Sequence, residues 1–426
     1  MWVVGEAGGG SGSNSGMDTN LLFTTALGLQ PPWEVKSLEF KAFEHRLDIL
    51  VDFQRGASFP CPVCGKPSKA HDTEEKTWRH LDFFQHAAYL TARVPRCNCE
   101  EHGVKSVEVP WGRKGSGFTL LFEALIMVLV REMPVNAVAR LVGEHDTRIW
   151  RVLNHHAEEA RAKLDFSQVQ TICVDEKSYR RGHNYVTFFM DLDLRRLMFG
   201  TEGKDGNTLA AFVEDLKAHQ GSAEQIRDVC CDMSPAFQTG IRVHLPKAEI
   251  TLDRFHLMKL MNDALDAVRR AESPTTPGLK KTRYHWLRNP GNLTKTQKAR
   301  LRELKALNLQ TVEAYQMKLL LQDFFEQPNR RAGSVFLNDW CTLASASGIE
   351  PLVRLAATFQ AHRRGILNWW RSRISNGLIE GINSLIQAAI AKARGYRNPR
   401  NLISIAYLIA GKLDFNTAPT LNGLPT

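Results

Sequence analysis

Two sets of residues in this 426-residue chain have the types and spacing to do chemistry. The first is sulfur and imidazole. Cys61-Pro-Val-Cys64 sets two thiolates two residues apart, and Gly65 lets the following backbone amides turn toward sulfur. Cys99 and His102 repeat that spacing, with Cys97 beside them as an alternative ligand. The expected site is tetrahedral Zn²⁺ held by Cys61, Cys64, Cys99 and His102. It is structural rather than catalytic, because four protein ligands leave no open position. Eight cysteines in a chain of this length do not make a disulfide scaffold, so a reducing cytoplasm is expected.

The second set is acidic. Asp175 follows the apolar run TICV and Asp232 follows IRDVCC, so each is expected at the end of a buried strand. Glu380 is the only acid between Phe359 and Arg400. Its tract holds Arg363, Arg364, Arg371, Arg373, Lys392, Arg394, Arg397 and Arg400, residues suited to phosphates. From Asn376 to Arg394, Leu378, Ile379, Ile382, Leu385, Ile386, Ala389 and Ile390 fall on one helical stripe. Glu380, Asn383, Gln387 and Arg394 fall opposite. If the strands of Asp175 and Asp232 are neighbours, their carboxylates emerge at one sheet edge, where Glu380 can join them. Three such groups raise one another's pKa unless cations compensate. Mg²⁺ (or Mn²⁺) takes oxygen ligands, and two ions about 4 Å apart activate the attacking oxygen and stabilise the leaving oxygen of a phosphodiester.

Blander roles compete. Asp232 suits the cap of a helix from Met233 to His244, and Asp253 the cap of the helix from Arg254. Glu176 is expected to face the other side of its strand, and His183 and His256 to be hydrogen-bonded structural residues. Asp191, Asp193 and Asp253 are further candidates, Asp253 as a site auxiliary where it is not only a cap.

The elements that must position these groups read as follows. Residues 35–53 suggest a β-hairpin, and HAAYLTARV a strand ahead of the second cysteine pair. Three helices follow from Phe118, the second opened by Pro134 and the third capped by Asp146 or Thr147. Helix, tight turn and helix over 134–160 fit a helix-turn-helix, with Arg148, Arg151, Asn154 and His155 outside as DNA contacts. From residue 170 the order βββαβαβα is that of a mixed α/β domain, and 273–375 read as mostly helical. Net charge is +10, which implies a polyanionic partner. The longest apolar run, Leu120 to Val130, contains Glu123 and is too short to span a bilayer, so no membrane partner is expected. Residues 1–16 are Gly/Ser-rich and read as a flexible tag or extension.

The ordered set CPVCG, CEEHG followed by VPWG, VDEKSYRRGHNYVT, CCDMSPAF, LDRFHLMK and NGLIEGINSLIQAAIAKARGYRN resembles bacterial insertion-sequence transposases of the DDE class, more narrowly the ISL-three family, from about Met17 to Leu413. The resemblance implies a multidomain α/β protein with a ribonuclease-H-like mixed sheet and Asp175, Asp232 and Glu380 as its acidic triad. It also implies a β-rich zinc finger and a helix-turn-helix that bind the terminal inverted repeats. The expected parts are an extension (1–16), a zinc-binding domain (17–112), a helix-turn-helix (113–166), a catalytic domain in two pieces (167–256 and 376–413), a helical insertion (257–375) and a tail (414–426). The implied activity is cleavage and strand transfer on double-stranded DNA without ATP, by a homodimer or larger assembly on paired ends. The place is the cytoplasm, on the nucleoid when DNA is bound. Rival readings are an inactive or domesticated DNA-binding protein, and a ribonuclease-H-like nuclease or resolvase that cuts without joining.

Overall fold

The computed structural model describes residues 18–180, 182, 184–307, 309–374 and 377–415. The expected extension 1–16, His183, Asn376, the side chains of Leu378 and Ile379, and most of the expected tail lie outside the described residues. No described helix is long and apolar enough to cross a membrane. The described chain divides into two units, 18–133 with 138–153, and 134–137 with 154–415.

The first unit opens with α1 (Thr19–Ala26), β1 (Trp33–Lys41), β2 (Arg46–Phe53), β3 (Ser58–Pro60), β4 (Pro67–Arg79), β5 (Ala87–Cys99) and β6 (Gly103–Ser106). The expected hairpin forms, with Trp33 opposite Phe53. The sheet runs β1-β2-β5-β4-β3, with β6 on β5. Trp33, Val51, Trp78, Leu90 and Trp111 fill its core. Burial along β5 switches from even to odd positions at Val94 and Pro95, beside a bulge in β4 between Ala70 and Asp72. That switch turns Cys97 and Cys99 inward.

Helices α2 (Leu120–Glu132), α3 (Val135–Leu141) and α4 (Asp146–Ala162) follow, as the periodicity predicts. Glu123, the charge within the apolar run, is fully buried and accepts from Arg113 Nε at 2.9 Å and from Ser116 Oγ at 2.5 Å. Those partners make its burial tolerable.

The second unit contains β7 (Thr171–Arg180), β8 (Asn184–Asp191), β9 (Arg196–Glu202), α5 (Gly206–Ala218), β10 (Asp228–Cys231), α6 (Pro235–His244), β11 (Glu249–Leu252) and α7 (Arg254–Glu272). A helical stretch follows: α8 (Arg283–Leu287), α9 (Lys295–Lys305), α10 (Gln310–Gln322), α11 (Arg330–Ala346), α12 (Glu350–Ala361), α13 (Arg363–Leu367) and α14 (Trp369–Ser372). The last helices are α15 (Gly377–Ala393) and α16 (Pro399–Ala410). The five-stranded sheet has the order β11-β10-β7-β8-β9. β7, β8 and β9 form an antiparallel meander, and β10 and β11 run parallel to β7.

The consecutive apolar run Ile172-Cys173-Val174 is buried on both faces, as a central strand requires. Ile172 and Val174 join Val229, Cys231 and Leu252 in a core shared with α5 to α7 and with the helical stretch. Cys173, Val186, Phe188, Met190 and Cys230 face a second core, built with Ile382 and Ile386 of α15 and Leu402 and Ala406 of α16. The helical stretch shares its hydrophobic centre with the sheet, since Trp286, Tyr315, Trp340 and Leu352 belong to the same cluster as the outer face of the sheet.

One close approach inside that cluster is measurable. A Cβ on Gly333 of α11 would collide with the Trp370 ring, closer than 3.0 Å to three of its carbons. Gly333→Ala should destabilise the protein by about 1–3 kcal/mol through overpacking, read as a lower denaturant midpoint at unchanged slope. An unchanged midpoint would show that the ring has room to move.

Candidate functional site

The parallel register decides where the aspartates go. Cys230 is paired with Cys173, and Cys231 with Leu252. Two residues past Cys173 and Cys230, Asp175 and Asp232 fall at the same level of neighbouring strands. One residue past Leu252, Asp253 falls there too, and Asp253 N donates to Cys231 O at 3.1 Å. By the two-residue alternation all three face the side of Cys173 and Cys230, under α15 and α16. Asp175 does not end its strand, as the sequence suggested. β7 continues to Arg180 because it keeps pairing with β8, while its pairing with β10 stops at Cys173.

α15 reaches this edge. Asn383 Nδ2 donates to Asp175 Oδ2 across 208 residues of sequence. Asp175 Oδ1 accepts from Glu176 N at 2.9 Å. Burial pushes the Asp175 carboxyl above its usual range, against the Asn383 bond, which favours the ionised form. Asn383 Oδ1 is buried with no hydrogen-bond partner, leaving an unused acceptor oxygen beside Asp175. Glu380 is exposed and stands one turn before Asn383, on the same side of the helix. Its carboxylate and those of Asp175 and Asp232 do not all lie within 4.8 Å of one another. Leu385, placed on the apolar stripe by periodicity, is 53% exposed, and Ile382 and Ile386 make the buried seam.

The competing roles are partly realised. Asp232 Oδ1 accepts from Ser234 N at 2.8 Å, a local turn that starts α6 at Pro235, two residues later than expected. Asp253 caps α7 through Phe255 N at 2.7 Å, and its other oxygen takes His256 Nδ1 at 2.8 Å. Glu176 is half-buried, and burial followed by the Asp232 charge pushes its carboxyl up. Asp191 is a buried turn residue that accepts from Asp193 N at 3.0 Å and Leu194 N at 2.9 Å, which accounts for it without chemistry.

The basic tract is divided. Arg364 pairs with Glu249 at 2.7 Å and Arg371 with Asp228. Glu249 and Asp228 open β11 and β10, so both arginines sit at the end of the sheet opposite Asp232 and Asp253. Arg363 bonds Ser334 and Asn338 of α11, and Arg373 lies over the Trp369 ring at 4.8 Å. Arg394 and Gly395 take positive φ to end α15, leaving Lys392, Arg394 and Arg397 exposed. In the helix-turn-helix, Arg148 is paired to Glu144, donates to Gly117 O at 3.2 Å and stacks on Phe118 at 4.1 Å. Arg151 is exposed, Asn154 is partly buried, and His155 joins His156 and Glu159 in a local cluster along α4.

In the first unit, Cys61, Cys64, Cys99 and His102 bring their ligand atoms within 4.8 Å of one another. Cys64 Sγ lies 3.7 Å from Cys99 Sγ, and Cys99 Sγ 3.6 Å from His102 Nδ1. Thiolates about 2.3 Å from a tetrahedral zinc lie about 3.8 Å apart, so the donor set fits Zn²⁺. The Cys64 and Val63 amides aim at Cys61 sulfur and hold its thiol down to about 6, the thiolate a metal needs. Gly65 takes φ +73° to close this turn. Cys97 is fully buried outside the cluster, and burial raises its pKa.

Three family models match the chain. Residues 57–102 match the zinc-finger of transposase IS204/IS1001/IS1096/IS1165, and residues 107–157 the helix-turn-helix domain of transposase family ISL3. Residues 172–406, more than half of the chain, match the DDE model of the same family, described as transposase. The transposase for insertion sequence element IS1557 of Mycobacterium tuberculosis (strain ATCC 25618 / H37Rv) is 29% identical over 445 residues, covering 94% of this chain and 97% of the relative. The transposase for insertion sequence element IS1001 of Bordetella parapertussis is 29% identical over 359 residues, covering 79% of this chain and 85% of the relative.

Metal analysis separates the sulfur roles. Cys99→Ser should lose bound zinc and the cooperative unfolding of the first unit, whereas Cys97→Ser should keep about one zinc per chain. Equal zinc in both proteins would remove Cys99 from the ligand set.

Proposed function

We propose that this chain, which belongs to the ISL3 family of insertion-sequence transposases, binds the ends of its element and cleaves and joins DNA at Asp175, Asp232 and Glu380. The single observation that carries the reading is the register that sets Asp175 level with Asp232, with the helix of Glu380 tied to Asp175 through Asn383. The sheet order, a three-stranded meander extended by two parallel strands, supports a ribonuclease-H-like catalytic domain.

In-register carboxylates on neighbouring strands step by about 4.8 Å. Two unit charges at that distance repel by about 3 kcal/mol at an effective dielectric near 20. Such a row favours a divalent cation, and the donors are all oxygen, which suits Mg²⁺ or Mn²⁺. Two such ions, when bound, would neutralise the carboxylates and polarise the attacking and leaving oxygens. Asp175 and Asp232 would hold them, Glu380 would complete the set, and Asn383 would keep the Asp175 carboxylate turned toward it. Water first attacks a phosphodiester at the element's end and frees a 3′-hydroxyl. That hydroxyl then attacks a target phosphodiester at the same residues. Bringing two ends together calls for at least two copies of the chain.

The zinc ribbon and helix-turn-helix would hold the terminal repeats, with Arg151 as the leading base or phosphate contact. Arg148 acts within the protein, steadying the turn between α3 and α4. Lys392, Arg394 and Arg397 are exposed members of the basic tract and would meet phosphates.

Asp175→Asn, Asp232→Asn and Glu380→Gln should each lower cleavage of an end-containing duplex with Mg²⁺ or Mn²⁺ by about 100-fold or more, with DNA binding retained. Cleavage by Asp232→Asn at the wild-type rate sinks the acidic-site reading, and cleavage without joined products favours a nuclease. Arg151→Ala should lower the slope of log affinity against log salt by about one, whereas Arg148→Ala should lower the melting temperature. Identical salt slopes would take Arg151 off the DNA.

A further inference from the structure

We propose that His256, fixed by Asp253, is a substrate-contacting residue of the acidic site, giving Nδ1–H to Asp253 and leaving Nε2 to hydrogen-bond the reacting phosphodiester. This rests on the acidic-site reading above. Four observations carry it. Asp253 lies at the level of Asp175 and Asp232 in the register, so the histidine it holds starts from the same row. Asp253 is 7% exposed and divides its oxygens, Oδ1 capping α7 and Oδ2 taking His256 at 2.8 Å. The bond uses Nδ1, so Nε2 is the nitrogen left for another partner. After Asp253, the charges that act on His256 are those of Asp175 and Asp232, and His256 in turn acts on Asp175 and Glu176.

A histidine three residues into a helix that closes on its capping aspartate is also an ordinary cap. The cap uses only Nδ1, and it explains neither the shared level of the three aspartates nor a ring placed among their charges. The Asp253 bond raises the His256 pKa, which favours the ring with a proton on Nε2 and suits donation to a phosphate oxygen. Asp253 is then a positioning residue that acts through the imidazole.

Amide isosteres separate the two nitrogens. Asparagine places its NH₂ near Nδ1 and can keep the bond to Asp253, whereas glutamine places its NH₂ near Nε2. With full-length protein, Mn²⁺ and an end-containing duplex, His256→Asn should cut single-turnover cleavage about 100-fold. His256→Gln should stay within about tenfold of wild type. DNA affinity and melting temperature should be unchanged in both. Wild-type cleavage by His256→Asn overturns the proposal, and so does an equal loss in both variants, which is the mark of a cap. Asp232→Asn runs alongside: if it abolishes cleavage while His256→Asn does not, only the histidine inference fails, and if it cleaves normally, the acidic site itself is wrong.

Discussion

The second unit depends on a row of like charges that its own ladder creates. Parallel pairing of β7, β10 and β11 forces Asp175, Asp232 and Asp253 to one level and one face. Sheet geometry cannot stagger them without turning each strand's buried residues over, because a one-residue slip exchanges the two faces. On one face Ile172, Val174, Val229, Cys231 and Leu252 commit the strands to their register, so the charges on the other face must be met where they stand. A part-buried amide from Asn383, a helix N-terminus at Phe255 and a histidine at position 256 each meet part of that demand.

Much of this was legible in the sequence because the signals are local. Cys61-x-x-Cys64 and Cys99-x-x-His102 fix ligand spacing through short turns, and the ligand atoms do converge. The apolar runs before Asp175 and Asp232 identify central strands, since only a two-sided position buries consecutive residues. The contrast between Glu380 and its surroundings identified α15. What failed to show is what pairing partners decide. Nothing in TICV says that β7 continues past Asp175, because that extension is set by β8. Asn383 was read only as one of several outward polar residues, and its bond to Asp175 comes from a strand 208 residues away. Asp253 was assigned its cap correctly, but its second oxygen belongs to His256, and its level is fixed by β10.

Composition could not say which neighbours the arginines find. The positive tract is spread over the second unit: Arg364 and Arg371 bond the first residues of β11 and β10, and Arg394 and Arg397 lie around the end of α15. Arg148 gives the same lesson, since its guanidinium is shared among Glu144, Gly117 and Phe118. The Arg364–Glu249 pair is exposed and adds little stability, typically less than about 1 kcal/mol, whereas the Glu144 partner of Arg148 is nearly buried. What these pairs do is set orientation: they hold the ends of short strands and a tight turn in place.

The shared core of the sheet and the helical stretch has a consequence for the order in which the protein is made. A chain leaving the ribosome delivers the cysteine cluster and the three-helix segment first, then the strands bearing Asp175 and Asp232. Trp286, Trp340 and Leu352 must be present before the outer face of that sheet is covered, and α15 and α16 come last of all to cover the inner one. A nascent chain that stops between residues 163 and 377 holds the cysteine cluster and the helix-turn-helix segment, but not Glu380 or Asn383. The segments that match a zinc finger and a helix-turn-helix are thus complete more than two hundred residues of synthesis before Glu380, and an interrupted product carries the one set without the other.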